Sequence, residues 1–352
     1  MTAHIHAIGT AVPPNAIHQT FVDWAAGRLE GRDRALFRRM ASRSAIEERY
    51  TVLPPSPLGG SQIDPGGFYG AAMPSTAERM ACYAREAPAL ALRAIDDLSS
   101  RAPIGNVTHL VVASCTGFVA PGIDQIIARR LGLSGSIERT LVGFMGCYAA
   151  VAALRVAHHI ARSDGKARVL VVTVELCSLH MQDSGDVGSL MAQLQFADGA
   201  AAAIVSAEPA GIAIDRFFAA TLPESDELIR WDIGNEGFVM HLSGEVPVRI
   251  ATALADPALR QAILGDRRPD APTDWAVHAG GRSILDAVQT GFDLPSDALA
   301  VSRDILRRWG NMSSSTLMFV LAAMLAQKRP LDGLAVAFGP GLAAEGFALR
   351  SA

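Results

Sequence analysis

Short apolar runs alternate with longer Ala- and Leu-rich stretches along this chain of 352 residues. The short runs are rich in β-branched residues and have the length of buried strands. They predict strands at 108–114, 168–175, 202–206, 275–278 and 334–338. The longer stretches predict helices at 78–99, 147–163, 281–291 and 315–328. Strands that alternate with helices indicate an α/β layered fold.

Two segments of the chain echo each other weakly. The run FADGAAAAIVSAE at 196–208 and the run FGPGLAAEGFALRSA at 338–352 both pass from a Phe and a Gly-containing turn into a final strand of small residues. The echo indicates two similar halves, since repeated architectures leave such traces in sequence. Turn-forming residues near residue 210 mark the boundary. The predicted units are therefore 1–210 and 211–352.

The composition limits the classes of function. Half of the residues are hydrophobic and 19% are charged, so the chain can bury a large interior. The net charge of −4 gives no broad basic surface, which argues against nucleic acid as the main partner. The apolar runs are too short to span a bilayer, and the N-terminus lacks the pattern of a secretory signal.

The four cysteines are scattered along the chain. Cys82, Cys115, Cys147 and Cys177 show none of the spacings of a zinc site. Reduced thiols are typical of the cytosol, where disulfides are rare. We therefore expect a cytoplasmic protein with no bound metal.

The segment GFMGCYAA places Cys147 between an apolar strand and a predicted helix. Glycines before the cysteine allow a sharp turn and a close approach of substrate. The free N–H groups and positive dipole end of a helix N-terminus favour the thiolate over the thiol. A free cysteine is also often a small core residue. This segment alone leaves the nucleophile and the core residue as open alternatives.

Two other glycine-bounded turns carry polar residues. His278 ends a predicted strand in WAVHAGG and points into the crevice beyond the strand end. Asn311, in GNMSSST, lies just before good N-cap residues and an apolar helix. Taken singly, each also fits a hydrogen-bonded core or turn residue. Together with Cys147 they supply a nucleophile and two hydrogen-bond donors for an oxyanion, which predicts an acyl-transfer site.

The order Cys, His, Asn on three glycine-bounded turns resembles the type III polyketide synthases, the chalcone synthase-like branch of the thiolase fold. The resemblance covers nearly the whole chain. It includes the runs IGTAVP, GFMGCYAA, ARVLVVTVEL, FADGAAAAIV, WAVHAGGRSILDAVQ, GNMSSST and AFGPGLAAE. It implies an α/β, thiolase-like layered αβαβα fold made of two similar halves, and a homodimer.

The resemblance also implies a reaction. An acyl-CoA starter is loaded on Cys147 and extended by decarboxylative condensation with malonyl-CoA, with His278 and Asn311 as the oxyanion donors. No cofactor is implied besides the CoA thioesters that serve as substrates. The product is released as a cyclised pyrone, resorcinol or phloroglucinol-type compound. The Ala- and Arg-rich composition and the CSLH segment resemble bacterial members, so we expect a medium or long fatty acyl starter.

Further positions match the substrate cavity of the family. Phe196 falls where the family places a gating Phe, and Met240 falls where it places a second gating aromatic residue. Trp231 falls near a position where plant members carry a small Gly, so the pocket is expected to be reshaped. The remaining cavity-lining positions are Cys115, Thr116, His180 and Ser313.

A basic cluster resembles the segment of the family that binds the CoA phosphates. Arg39 and Arg43 match basic positions there, and residues four apart share one helix face. Leu36 departs from the pattern, because the family carries a third basic residue at its position. In the separate turn after His278, Ala279 and Arg282 each replace a proline of the family, which loosens that turn.

Two alternatives stay open. A carrier-protein-dependent β-ketoacyl synthase of the priming type shares the Cys, His and Asn, although GNMSSST and FGPG favour the polyketide branch. A catalytically inactive thiolase-fold acyl-binding protein is the second alternative. Retention of all three polar residues argues against it.

Overall fold

The computed structural model describes residues 2–267 and 273–352, and its elements confirm the predicted alternation of strands and helices. The strands are β1 (Ala3–Ala11), β2 (Asn15–Ala16), β3 (Tyr50–Thr51), β4 (His109–Ser114), β5 (Glu138–Gly143), β6 (Arg168–Leu176), β7 (Asp198–Ser206), β8 (Ile212–Thr221), β9 (Ile229–Gly234), β10 (Gly237–Leu242), β11 (Asp274–Val277), β12 (Asp332–Gly339) and β13 (Ala343–Ser351). The helices are α1 (His18–Gly27), α2 (Gly31–Ser42), α3 (Thr76–Arg101), α4 (Ile123–Arg130), α5 (Ala149–Ser163), α6 (Val187–Gln193), α7 (Val246–Ala255), α8 (Pro257–Leu264), α9 (Arg282–Phe292), α10 (Ala300–Trp309) and α11 (Ser314–Ala326).

One mixed sheet of nine described strands shows that the two halves are alike. Its order is β11-β12-β13-β8-β1-β7-β6-β4-β5, and the antiparallel pair β1–β8 joins the halves. Outward from this pair, each half has two antiparallel pairings and then parallel ones. The strands β7 and β13 belong to the two echoed segments and occupy equivalent places. The boundary near residue 210 stays a prediction.

The helices form three layers around the two halves of the sheet, which gives the predicted αβαβα arrangement. The helix α11 is buried on almost all sides, and it contacts β1, β6 and β7 of one half and β11 of the other. The helix α5 lies beside it. The helices α3 and α4 cover the outer face of the first half, and α9 and α10 cover that of the second. No helix in the described ranges is long and apolar enough to cross a bilayer.

Strand alternation explains why both faces of the sheet are apolar. In β4, Leu110 and Val112 pack into the outer core beside α3, whereas Val111 and Ala113 pack into the central core beside α5. Successive side chains of a strand point to opposite faces, so a strand buried on both sides reads as a continuous apolar run. This is why the central strands could be predicted from short apolar runs.

The close approach of β1 and α3 generates a stability prediction. A Cβ added to Gly9 would lie 2.1 Å from the backbone nitrogen of Leu98 and 2.3 Å from the carbonyl oxygen of Ala94. Gly9→Ala therefore has to displace α3, and we expect it to lower the free energy of unfolding by about 1–3 kcal/mol. Urea unfolding followed by circular dichroism measures the change.

Gly27→Ala at the end of α1 is the matched control, because nothing lies within 4 Å of the added Cβ. It is expected to leave stability unchanged or to raise it by about 0.4–1 kcal/mol. Equal unfolding midpoints for the two variants would contradict the packing of α3 on β1.

Candidate active site

Cys147 lies in a 3-10 turn, Gly146–Tyr148, between β5 and α5. The turn is tightly constrained. Phe144 has φ 56°, a left-handed conformation that is costly for a residue with a side chain. Gly146 has φ 76°, and a Cβ there would lie 2.2 Å from Cδ of Pro340. The sequence prediction of a sharp glycine turn before the nucleophile is thus explained by contact with a loop of the second half.

The Cys147 thiol faces hydrogen-bonding groups from the second half. Burial raises its pKa to about 12, while hydrogen bonds with the Ser313 and Asn311 side chains and its own backbone N–H act in the opposite direction. The backbone N–H acts in the direction expected of a helix N-terminus, but desolvation outweighs it together with the side-chain donors. A thiolate at Cys147 requires a partner that takes up the proton.

Asn311 joins the three glycine-bounded turns. Its Oδ1 accepts from the backbone N–H of Ser313 at 2.8 Å, and its Nδ2 donates to the carbonyl of Gly280 at 3.1 Å. Its backbone N–H donates to the carbonyl of Gln195 at 2.8 Å. These bonds fix the amide and leave one Nδ2 hydrogen for the site, because an amide nitrogen carries two.

His278 follows β11 and is only 1% exposed. Its backbone N–H donates to Val336 at 2.8 Å, while neither ring nitrogen has a hydrogen-bond partner among the described residues. Burial lowers the pKa of the imidazole to about 3, so it is neutral at physiological pH. A neutral imidazole offers one donor and one acceptor. It can take a proton from a thiol or donate to a developing oxyanion.

One small cavity is lined by Cys147, and a second shares Trp231 and Met240 with it. The reaction chamber, about 30 Å³, has a lining that includes Cys115, Thr116, Cys147, Trp231, Met240 and Ser313. The second chamber, about 50 Å³, has a lining that includes Arg49, His180, Phe196, Trp231, Phe238 and Met240. Trp231 and Met240 border both because they are register partners across the hairpin of β9 and β10. This pair forms the partition between the chambers.

The predicted cavity residues are thus divided between the two chambers. His180 and Phe196 line the second chamber, whereas Cys115, Thr116 and Ser313 line the reaction chamber. His180 is fully bonded: its Nδ1 accepts from the N–H of Phe238 at 3.0 Å, and its Nε2 lies 2.8 Å from the carbonyl of Thr116. It stacks on the Phe238 ring and forms part of the wall.

Glu175 is a buried carboxyl group that the sequence reasoning missed. It accepts from the backbone N–H of Cys115 at 2.9 Å, from the Thr116 hydroxyl at 2.9 Å and from the Ser314 hydroxyl at 2.5 Å. Burial raises its pKa to about 7. These bonds hold the wall of the reaction chamber against α11. The signal was present, since Glu175 is the one acidic residue in the apolar run ARVLVVTVEL.

The two predicted CoA-binding arginines lie in different places. Arg43 lines an open surface pocket together with Gln195, Ser283 and Arg282, and Arg282 donates from Nη1 to the carbonyl of Arg43 at 3.1 Å. Arg39 is exposed on the last turn of α2 and is not among the residues that line this pocket. The structure therefore places Arg282 in contact with Arg43. In the sequence, Arg282 stood out only because it replaces a proline of the family.

Comparison with known proteins places the whole chain in one group. Residues 1–209 match the family model described as chalcone and stilbene synthases, N-terminal domain, and residues 214–352 match the C-terminal domain of the same description. A protein of Mycobacterium tuberculosis named alpha-pyrone synthesis polyketide synthase-like Pks18 is 34% identical over 287 residues, which cover 76% of this chain and 72% of that protein.

Solved structures give the same relationship. The C-terminal type III polyketide synthase domain of Steely1 from Dictyostelium superposes with a TM-score of 0.87 at 25% identity, covering 100% of this chain and 99% of that one. A structure named PKS-I from the brown alga Ectocarpus siliculosus superposes with a TM-score of 0.87 at 30% identity, covering 100% and 98%.

The opposite pKa directions of Cys147 and His278 generate a prediction. A proton moved from sulfur to imidazole creates two charges that stabilise each other, whereas an unpaired buried thiol with its pKa raised to about 12 stays protonated at neutral pH. At about pH 7, iodoacetamide should therefore modify Cys147 at least about tenfold faster in the wild type than in His278→Ala. Peptide mass spectrometry measures the rate at this residue.

The difference in modification rate between wild type and His278→Ala should narrow as the pH rises, because the thiolate fraction of a thiol with a raised pKa grows with pH. His158→Ala is the control, since this buried histidine lies on α5 and lines neither chamber. Equal rates of Cys147 modification in wild type and His278→Ala at neutral pH would contradict the pairing of the Cys147 thiolate with the His278 imidazolium.

Proposed function

Because the chain belongs to the chalcone and stilbene synthase family, the type III polyketide synthases, we propose that Cys147 carries the acyl chain while His278 and Asn311 stabilise oxyanions. The observation that supports this most is the position of Asn311, whose amide donates to the turn of His278 and is one of the groups that act to lower the pKa of the Cys147 thiol. A buried nucleophile, a neutral imidazole and a fixed amide donor are the parts that acyl transfer through a thioester requires.

In the proposed reaction, His278 takes the thiol proton, and the Cys147 thiolate attacks the carbonyl of an acyl-CoA and expels the CoA thiolate. Malonyl-CoA then loses CO2, and the electron pair of the broken bond forms an enolate whose oxygen faces His278 and Asn311. The enolate carbon attacks the acyl-Cys147 thioester. A carbon–carbon bond forms, the Cys147 thiolate leaves, and the chain is two carbons longer.

For the substrates, we propose an acyl-CoA starter with an apolar chain of medium or greater length, and an α-pyrone product. The chambers are lined by Phe196, Trp231, Phe238 and Met240, which suits an apolar chain. Met240 is flexible, so it can shift to let a chain pass the partition. The pyrone follows the name of the mycobacterial relative. It forms when an enol oxygen of the extended chain attacks the thioester carbonyl and expels the CoA thiolate, which takes up the enol proton.

The CoA moiety is proposed to bind at the surface pocket of Arg43 and Arg282. Both arginines line this pocket, and guanidinium groups suit the phosphates of CoA. Gln195 supports this placement, because its side chain lines the pocket while its carbonyl accepts the backbone N–H of Asn311. Arg39 is proposed to contribute at longer range, from the exposed end of α2.

We also propose a homodimer that associates along β5. This strand ends the nine-stranded sheet, and Leu141 on it is 46% exposed. Phe118 nearby is 45% exposed. An edge strand with exposed apolar side chains favours pairing with a second copy. The four free cysteines agree with the cytoplasmic location, which stays a prediction.

The nucleophile is tested by incubating the protein with malonyl-CoA and acyl-CoAs of graded length. Wild type should gain the mass of one acyl group at Cys147 and release product, whereas Cys147→Ala should lose both. Cys82→Ala is the control, because this buried thiol lies on α3 and lines neither chamber. An unchanged adduct in Cys147→Ala would overturn the assignment.

The same assay separates the two alternatives. Turnover only with malonyl groups linked to a carrier protein would indicate the priming-type ketoacyl synthase. Binding of acyl-CoA without an adduct or product would indicate the inactive acyl-binding protein.

Met240→Phe tests the partition between the chambers. A phenyl ring is stiffer than a thioether chain, so the variant should shift starter preference toward shorter acyl chains. The ratio of kcat/KM for long and short acyl-CoAs measures the shift. Ile233→Phe, an exposed change on the same hairpin, is the control and should leave the ratio unchanged. An unaltered ratio in Met240→Phe would exclude Met240 from the path of the chain.

A further inference from the structure

The second chamber contains hydrogen-bond donors that no described residue satisfies. Two buried nitrogens of its lining residues, Nη2 of Arg49 and Nε1 of Trp231, have no partner among the described residues. Buried polar groups are nearly always hydrogen-bonded, and each exception requires a physical explanation. Two such groups around one small cavity therefore point to a ligand that supplies acceptors.

The other polar groups of this wall are already bonded to the protein. The side-chain oxygen of Gln193 accepts from the N–H of Gln182 at 2.8 Å, and its amide nitrogen donates to Ser189 at 3.3 Å. The Ser178 hydroxyl donates to Asp198 at 2.6 Å, and both ring nitrogens of His180 have partners. Among the buried side-chain nitrogens and oxygens of the described lining, the two that lack a partner are therefore both donors.

Arg49 is held rigidly by its other nitrogens. It is 3% exposed, its Nε donates to Nδ1 of His18 at 3.1 Å, and its Nη1 donates to the carbonyls of Phe196 at 2.5 Å and Gln193 at 3.3 Å. Its guanidinium lies over the Phe21 ring. Burial lowers its pKa to about 9, so it is charged at physiological pH. The Arg49 guanidinium is thus held in one orientation with Nη2 unpaired, and it is pre-organised to bind an oxygen acceptor.

The nearest carboxyl group does not pair with Arg49. Asp198 is close enough to favour the charged form of the guanidinium, but its oxygens accept from the N–H and hydroxyl of Ser178 and from the N–H of Val52. The charge of Arg49 is thus partly balanced at a distance and lacks a hydrogen-bonded anion. A purely alkyl chain in this chamber would cover the guanidinium and leave it unsatisfied, which is costly.

We propose that the second chamber receives the far end of the starter and that Arg49 binds an oxygen acceptor there, so that the enzyme prefers acyl thioesters with an apolar stem and a terminal carboxylate. The inference rests on the proposed function, since it takes Cys147 as the point from which the chain extends past Trp231 and Met240. A guanidinium and a carboxylate form a short charge-assisted hydrogen bond, which suits a dry chamber. Arg49 is then a specificity-determining residue.

The test compares two starters of equal length, octanoyl-CoA and its analogue with a terminal carboxylate, suberoyl-CoA. In the wild type, kcat/KM should favour suberoyl-CoA by at least about tenfold, the size expected of one hydrogen bond to a charged group. In Arg49→Met the ratio should fall to about one or below, and in Arg49→Lys it should be intermediate. Because the ratio is taken within each variant, a general loss of activity cancels.

Met181→Leu is the matched control, since it changes an apolar residue of the same lining without altering charge. It should keep the wild-type ratio. Loss of the ratio in Met181→Leu as well would assign the preference to chamber shape and overturn the role of Arg49. If the wild-type enzyme has an equal or higher kcat/KM for octanoyl-CoA than for suberoyl-CoA, the proposal is overturned without any variant.

The carboxylate of malonyl-CoA is a second anionic group that suits the Arg49 guanidinium. If Arg49→Met raises the KM for malonyl-CoA with either starter and leaves the starter ratio unchanged, the guanidinium binds the extender and the proposal is overturned. Failure of both starters to form an adduct at Cys147 would overturn the proposed function itself. Adducts with both starters and no preference would overturn only this inference.

Discussion

The hydrogen bonds of the Asn311 amide are the interaction on which the site depends. They tie the turn before α11 to the turn after β11 through Gly280. The same side chain acts to lower the pKa of the Cys147 thiol of the first half. The main chain of Asn311 is paired with that of Gln195, next to Phe196. Segments from both halves of the sheet therefore meet at one side chain.

Burial gives these groups their chemistry. The Cys147 thiol and the His278 imidazole are both pushed toward their neutral forms, and the carboxyl of Glu175 is pushed toward protonation, because desolvation disfavours charge. The same dry surroundings strengthen each remaining hydrogen bond and each pair of opposite charges. A proton transfer from the Cys147 sulfur to the His278 imidazole is therefore favoured only when the two charges that it creates stabilise each other. The site acts as a unit, and its parts lose their function when they are separated.

The fold separates the proposed catalytic residues from the residues proposed to select the substrate. The former lie on turns anchored to the two halves of the sheet, whereas the partition of Trp231 and Met240 lies on the two-stranded hairpin β9–β10 outside it. A hairpin outside the main sheet tolerates changes of side-chain size that the cores do not, because cores are close-packed. Arg49 stands between these two parts, since it bonds to the carbonyl of Phe196 and faces the second chamber.

The sequence by itself determined the strands of the main sheet that carry apolar runs, the long helices and the three turns of Cys147, His278 and Asn311. Each of these is a local pattern, set by side-chain periodicity or by glycine and cap residues. The bond between Arg282 and Arg43 and the free nitrogen of Arg49 were decided by tertiary structure. They depend on contacts between residues far apart in the chain, such as Arg49 with Phe196, and no local pattern records them. The ionisation of Cys147 belongs to the same class, because helix-end chemistry is local whereas burial is a property of the whole fold.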